Sequence, residues 1–282
     1  MKTYSTRLLP GLAFLILTTT LSAAEPAVEL HKTKAGTEFA TWGPLPDQPE
    51  PTLFILAGTM ESTLGSPYFR QCGNQLAEAG YLLVSVDIPC HGKQHRPPEP
   101  TGLSGWAYRC EQGDDFVADN NRRLSQVLDE LIAGGQTNPD YVGVCGTSRG
   151  GYLALQFAAH DPRVKGVAAF APVTDLTVLN EFKSRSKNEM VQSLSMIRNA
   201  DKLAGRPVWI VIGDRDVRVG TDEAIAVARR ITQAGLEKGG PSQVDLHVIA
   251  EPKGHTVPKG STDVAAKWFL KQVGTPDSSS AK

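Results

Sequence analysis

The chain has 282 residues, 29 Lys and Arg against 30 Asp and Glu, a formal net charge of −1, and 40% hydrophobic residues. So even a balance gives no basic excess of the kind nucleic-acid binding uses, and the apolar content is too high for an acidic disordered chain. The length suits one large α/β domain, and nothing repeats at a fixed period.

The first residues, "MKTYSTRLLPGLAFLILTTTLSAAEP", place Lys2 and Arg7 before an apolar run around Leu8–Leu17, then the small residues Ser22, Ala23 and Ala24. That is the layout of a secretory signal peptide over 1–24, with cleavage after Ala24. A membrane anchor is the alternative, but the run is shorter than the ~20 residues that span a bilayer. No cysteine follows the small residues to carry a lipid. The mature chain from Glu25 is therefore expected to be secreted or periplasmic, with no membrane contact after cleavage. A domain over 25–274 and a disordered tail over 275–282 complete the expected organisation.

In chain order, "AVELHK" (27–32) and "TEFATW" (37–42) read as an antiparallel edge pair. "PTLFILAG" (51–58), "YLLVSVD" (81–87), "YVGVCG" (141–146), "VAAFAP" (167–172), "PVWIVIG" (207–213) and "VDLHVIA" (244–250) are short apolar runs without polar alternation. Such runs mark strands covered on both faces, as in a parallel sheet. Helical patterns lie between them at 69–80, 114–135, 221–235 and 261–274, the third with Thr221 as its expected N-cap. Strands alternating with helices imply right-handed crossovers and a doubly wound sheet, whose ligands bind beyond the C-terminal strand ends.

Ser148 stands at such an end. "YVGVCGTSRGGYLALQF" (141–157) is a strand, a G-x-S-x-G turn and a helix, the context of a nucleophile elbow. The turn forces the serine into unfavourable dihedrals, and side chains at Gly146 and Gly150 would collide across it. The hydroxyl needs a base, because it is almost fully protonated at neutral pH. Of six histidines, His255 follows the last strand in the loop "EPKGHTVP", where it could reach Ser148. His31 is on the leading edge, His160 ends the helix after the elbow, and His247 lies inside a strand. An acid must then orient the imidazole. "VIGDRDVRVG" offers Asp214 and Asp216. Asp214 follows Gly213 directly and is placed to serve the turn. Asp216 is nearer to where His255 must sit, with Val217 and Val219 expected to pack beneath it. Oxyanion donors are expected from the backbone N–H of Arg149 and of Thr59 or Met60.

The remaining candidates are weaker. "PPEPTGLSGWAYRCEQGDD" (97–115) is Pro- and Gly-rich, and Trp106 and Tyr108, with His91 ahead of them, could wall a substrate cleft. His91 and His95 lack a carboxylate to complete a metal site, so no metal or other cofactor is expected. Among Cys72, Cys90, Cys110 and Cys145, a Cys90–Cys110 bridge is the pairing expected from their loop-like surroundings. Residues 173–203 are the one other stretch long enough for a lid, too short for a deep lipid-binding cap.

Together "LFILAGT", "VSVDIPCHG", "GVCGTSRGGYLAL", "VIGDRDVRV" and "PKGHTVP" resemble the α/β-hydrolase superfamily, and more narrowly its dienelactone-hydrolase and prolyl-oligopeptidase-like esterase branch. That branch shares the D-x-P-x-H-G element, here Asp87 to Gly92. The resemblance implies an α/β-hydrolase fold, a mostly parallel eight-stranded sheet with helices on both faces. It also implies Ser148 as nucleophile, Asp216 as acid and His255 as base. Ala57-Gly58-Thr59 departs from the His-Gly-Gly of many lipases. The expected activity is cleavage of small-molecule carboxylic esters, short-acyl in the absence of a large lid. Peptide or amide cleavage is the alternative, less favoured without an N-terminal propeller to gate peptides, and a non-catalytic hydrolase-like binder is the third reading.

Overall fold

The structure, a computed structural model, describes residues 25–275. The expected leader over 1–24 and almost all of the expected tail lie outside those residues.

All eight expected strands form. They are β1 (Val28–Lys32), β2 (Glu38–Trp42), β3 (Glu50–Leu56), β4 (Leu82–Ser85), β5 (Thr137–Thr147), β6 (Val164–Phe170), β7 (Val208–Gly213) and β8 (Val244–Ile249). They make one sheet in the order β1-β2-β4-β3-β5-β6-β7-β8. Only the β1–β2 and β2–β4 pairings are antiparallel, and the other five are parallel.

The missing polar alternation has its physical cause in the packing. Along β3, Leu53 and Ile55 point to one face and Phe54 and Leu56 to the other, and all four are fully buried. Phe54 and Leu56 belong to one core with Leu124, Leu128, Leu153, Phe157 and Ile231, from the helices Phe116–Ala133, Arg149–His160 and Thr221–Glu237. Leu53 and Ile55 pack with Leu76 and Phe269, from Gly73–Glu78 and Ser261–Gln272. Helices thus cover both faces, and each large apolar side chain sealed between them contributes roughly 1.5–3 kcal/mol.

Three boundaries differ from expectation. The helix expected over 69–80 is two short pieces, Pro67–Arg70 and Gly73–Glu78, and a third, Met60–Leu64, precedes them unexpected. Gln71 breaks the run at φ 49°, and Gly73 comes so near the sheet that a Cβ there would stand 2.6 Å from Ile55 Cδ1. The Pro/Gly-rich loop contains the helix Gly102–Glu111. Gly220, not Thr221, caps the helix Thr221–Glu237. The Thr221 hydroxyl instead donates to the Gly213 carbonyl (2.6 Å) and accepts from the Asp216 N–H (3.1 Å), closing the turn after β7.

Between β6 and β7 the expected lid is a string of short turns, such as Asn180–Arg185 and Glu189–Ser193, and Phe182 and Val191 are buried beneath them. Among the described residues, no helix is long and apolar enough to cross a membrane.

Candidate active site

Ser148 sits directly between β5 and the helix Arg149–His160, at φ 56° and ψ −117°. For a residue with a Cβ this conformation costs about 1–3 kcal/mol, so its surroundings must hold it. Its N–H donates to the Phe170 carbonyl (2.8 Å), and its own carbonyl accepts from Tyr152 and Val173 (both 3.1 Å). The flanking glycines are sterically required. A Cβ at Gly146 would stand 2.3 Å from the Gly150 carbonyl, and one at Gly150 would stand 1.8 Å from the Leu56 oxygen. Two backbones therefore meet where the elbow crosses the end of β3, and only glycine fits.

The structure brings three of the expected residues into one line. Ser148 Oγ lies 3.0 Å from His255 Nε2, and His255 Nδ1 lies 2.7 Å from Asp216 Oδ2. Asp216 is buried, and its other carboxylate oxygen accepts from the N–H groups of Arg218 (3.1 Å) and Val219 (3.3 Å). His255 is exposed at the opposite end of the pair, on a loop that Gly254 turns at φ 74°. Asp214 takes the other role expected of this loop. Its Oδ1 accepts from the Glu251 N–H (3.0 Å), tying the loop after β7 to the loop that carries His255. Hydrogen bonds from Arg215 and from that N–H hold its carboxyl down at about 2. Val219 is buried beneath Asp216 as expected, but Val217 points outward, 93% exposed.

Two backbone N–H groups, one at the elbow and one in the loop after β3, have no protein acceptor among the described residues. One belongs to Arg149, at the first position of its helix, and the other to Thr59. Met60, the alternative to Thr59, is corrected here, because its N–H is spent on Asp87 Oδ1 (2.9 Å). Asp87 Oδ2 accepts from the Lys93 N–H (2.8 Å), and a Cβ at Gly92 would stand 2.2 Å from that oxygen. Asp87 and Gly92 of the D-x-P-x-H-G element therefore brace the loop after β3 against the loop after β4.

The residues proposed for the cleft wall fare unequally. Trp106 is a correction. It is fully buried, stacked on Phe116 at 4.6 Å between ring centroids, and its indole N–H donates to the Pro89 carbonyl (2.8 Å). Tyr108, two positions along the same helix and so on another face, is half-buried. His91 does lie at the site, with its ring beside Gly58 and Arg149. Burial keeps it below the usual imidazole range, and its Nδ1 is 2.9 Å from the Pro89 carbonyl. His95 turns away, with Nε2 2.6 Å from the Glu99 carbonyl.

The Cys90–Cys110 bridge is also corrected, because all four cysteines are free and buried. Cys110 lies in a helix, and Cys90 packs against Gly105 near Glu99. Burial pushes both thiols up to about 12, which makes them inert. The same loop holds a sealed ion pair, Glu99 with Arg109 Nε and Nη2, both at 2.8 Å. Burial works to raise the Glu99 carboxyl, but the bonds from Arg109 and the Arg96 N–H outweigh it and hold the group at about 2.

Sequence reasoning missed one contact at the rim. Arg218 reaches from the loop after β7 to both oxygens of Glu181, at 2.7 and 3.0 Å, and so joins the turns after β6 to the loop bearing Asp216. The partners are 37 positions apart, and Glu181 belongs to no motif.

Sheet order, elbow and strand-end residues define a serine hydrolase of the α/β-hydrolase fold. The chain belongs to the Prolyl oligopeptidase family, whose sequence profile matches residues 112–273, over half of its length. No curated protein matches it in sequence. Solved structures similar to it include an esterase from Pyrococcus furiosus, at 19% identity and TM-score 0.62, covering 89% of this chain and 94% of that one. Acetyl xylan esterase 1 from Thermoanaerobacterium sp. is 20% identical with TM-score 0.58, covering 89% of each chain. Dipeptidyl peptidase 4 from Porphyromonas gingivalis is 18% identical with TM-score 0.62, covering 88% of this chain. This chain spans 36% of that peptidase's length.

Proposed function

We propose that the protein hydrolyses carboxylic esters of small molecules through an acyl-enzyme on Ser148. The observation that carries this reading is the hydrogen-bonded line from Ser148 through His255 to Asp216, beside two unspent N–H donors. His255 Nε2 takes the hydroxyl proton as Ser148 Oγ attacks the carbonyl carbon. The carbonyl oxygen becomes an oxyanion, stabilised by the N–H groups of Thr59 and Arg149. His255 then gives its proton to the leaving alcohol, and the same base activates the water that releases the acid. Asp216 holds the imidazole with Nδ1–H inward and stabilises it when charged.

Esters are favoured over peptides because the chain aligns with two esterases over 94% and 89% of their lengths. Membership of the Prolyl oligopeptidase family supports peptide or amide cleavage as the second reading. The turns between β6 and β7 build no deep apolar cap, so a long acyl chain would gain little buried area. A series of p-nitrophenyl esters from acetyl to palmitoyl, with matched p-nitroanilides, tests all of this. The expected result is highest kcat/KM at acetyl to butyryl and far slower anilide cleavage. A steady rise toward palmitoyl would refute the short-acyl preference, and faster anilide turnover would refute ester specificity.

We further infer export through a cleaved leader, supported by the charged, apolar and small-residue order of residues 1–24. Expressed with export machinery, the protein is expected to show an intact mass beginning at Glu25. A mass retaining Met1 would count against it.

A further inference from the structure

One charge at the site has no part in this reaction. The Arg149 side chain is half-buried and folds back over the end of β3, with its Nε donating to the Ala57 carbonyl (3.0 Å). Its terminal nitrogens lie beside two glycines: Nη2 is 3.9 Å from where a Cβ on Gly58 would stand, and Nη1 is 4.0 Å from the same point on Gly102. No side chain covers the guanidinium from either position. Among the described residues, Nη1 and Nη2 have no protein acceptor and no carboxylate within ion-pairing distance.

Elsewhere in the described residues four inward-turned arginines are paired with carboxylates. Arg70 meets Glu25, Arg109 meets Glu99, Arg163 meets Asp161 and Arg218 meets Glu181. Arg123 and Arg206 spend a terminal nitrogen on backbone carbonyls. The charges around Arg149 offer it no counter-ion. Arg218 is a second cation committed to Glu181, Asp87 is filled by two N–H groups, and burial disfavours the charged form of His91, which could not serve as a counter-ion in either form. Burial without a partner, with Arg218 adding its repulsion, lowers the affinity of this guanidinium for its own proton.

The position matters as much as the missing partner. Arg149 directly follows Ser148 and supplies one oxyanion N–H, and Gly58 directly precedes Thr59, which supplies the other. Resting on the ester-hydrolase reading, we propose that Arg149 is a specificity-determining residue whose free Nη1–Nη2 edge takes a carboxylate borne on the non-reacting part of the ester. Two parallel N–H donors match the two oxygens of a carboxylate, and a partly desolvated cation favours an anion over a neutral group.

The test compares isosteric esters with and without the charge. On the acyl side the pair is p-nitrophenyl 4-methylpentanoate and mono-p-nitrophenyl succinate; on the alcohol side it is 4-acetoxybenzamide and 4-acetoxybenzoate. In one of these pairs the wild type is expected to favour the anionic ester at least tenfold in kcat/KM, mostly through KM. That preference should shrink as salt rises from 50 mM to 1 M. Arg149→Met should bring the ratio close to one, and Arg149→Lys should keep part of it. Both esters are expected to slow in the Met variant, which loses the tie to Ala57, so the ratio is the readout. A wild type that shows no anionic preference in either pair, or a ratio that Arg149→Met leaves unchanged, overturns the assignment while the ester-hydrolase reading stands. A protein that turns over none of the four esters and takes no fluorophosphonate label overturns both.

Discussion

Asp216→Asn is expected to lower kcat by about 10⁴-fold with little change in melting temperature. The amide keeps the shape of the carboxylate, and its oxygen can still accept from the Arg218 and Val219 N–H groups. What then faces His255 Nδ1 is an NH₂ donor. The imidazole must move its proton to Nε2 to meet it, and that nitrogen can no longer accept from Ser148. Asp214→Asn should behave oppositely. It removes the charge paired with Arg215, but its amide oxygen can still accept from the Glu251 N–H. Most activity should remain, with a lower melting temperature. Kinetics and melting curves of the two proteins, side by side, decide the matter. If Asp214→Asn is the inactive one, the reading of this loop fails.

Ser148→Ala should abolish covalent labelling by a fluorophosphonate and reduce kcat by roughly 10⁶-fold, with oxyanion and binding contributions left behind. Alanine meets the same backbone penalty as serine at φ 56°, and the hydrogen bonds of residue 148 to Phe170, Tyr152 and Val173 are backbone only. Folding should therefore survive, and any loss belongs to the hydroxyl. Labelling that persists in the alanine protein would move the nucleophile elsewhere.

How far the sequence could be read depended on how local each cause was. The six parallel strands were legible because a strand covered on both faces has no polar side to show, as in "VWIVIG". The elbow was legible because strand, G-x-S-x-G turn and helix are contiguous, although only Gly146 meets its steric demand within five residues and Gly150 meets it at Leu56 of β3. Asp216 followed from counting outward from Gly213. Trp106 misled because Gly102, Gly105 and the prolines before them read as loop. The helix there is held by Trp106 packing on Phe116 and Tyr152, contacts to other elements that no local pattern encodes. Met60 was lost as a donor to a carboxylate 27 positions away. The cysteines misled for a related reason: a count says what pairing is permitted, not which sulfurs the packing brings together. Arg149 was read only for its N–H, since a long side chain's direction is decided by the space two distant glycines leave for it.

The Asp87 brace bears on how substrates should differ from one another. One carboxylate holds the N–H of Met60 and the N–H of Lys93, so the loop carrying Thr59 and the loop carrying His91 are fastened as a single rigid body. The Thr59 N–H on it, the oxyanion donor of the proposed reaction, is thereby oriented by the fold itself. No closing motion is then needed to assemble that half of the site as each ester arrives. Discrimination is left to what the rim can grip, and it should appear in how tightly esters are held more than in how fast a bound one reacts.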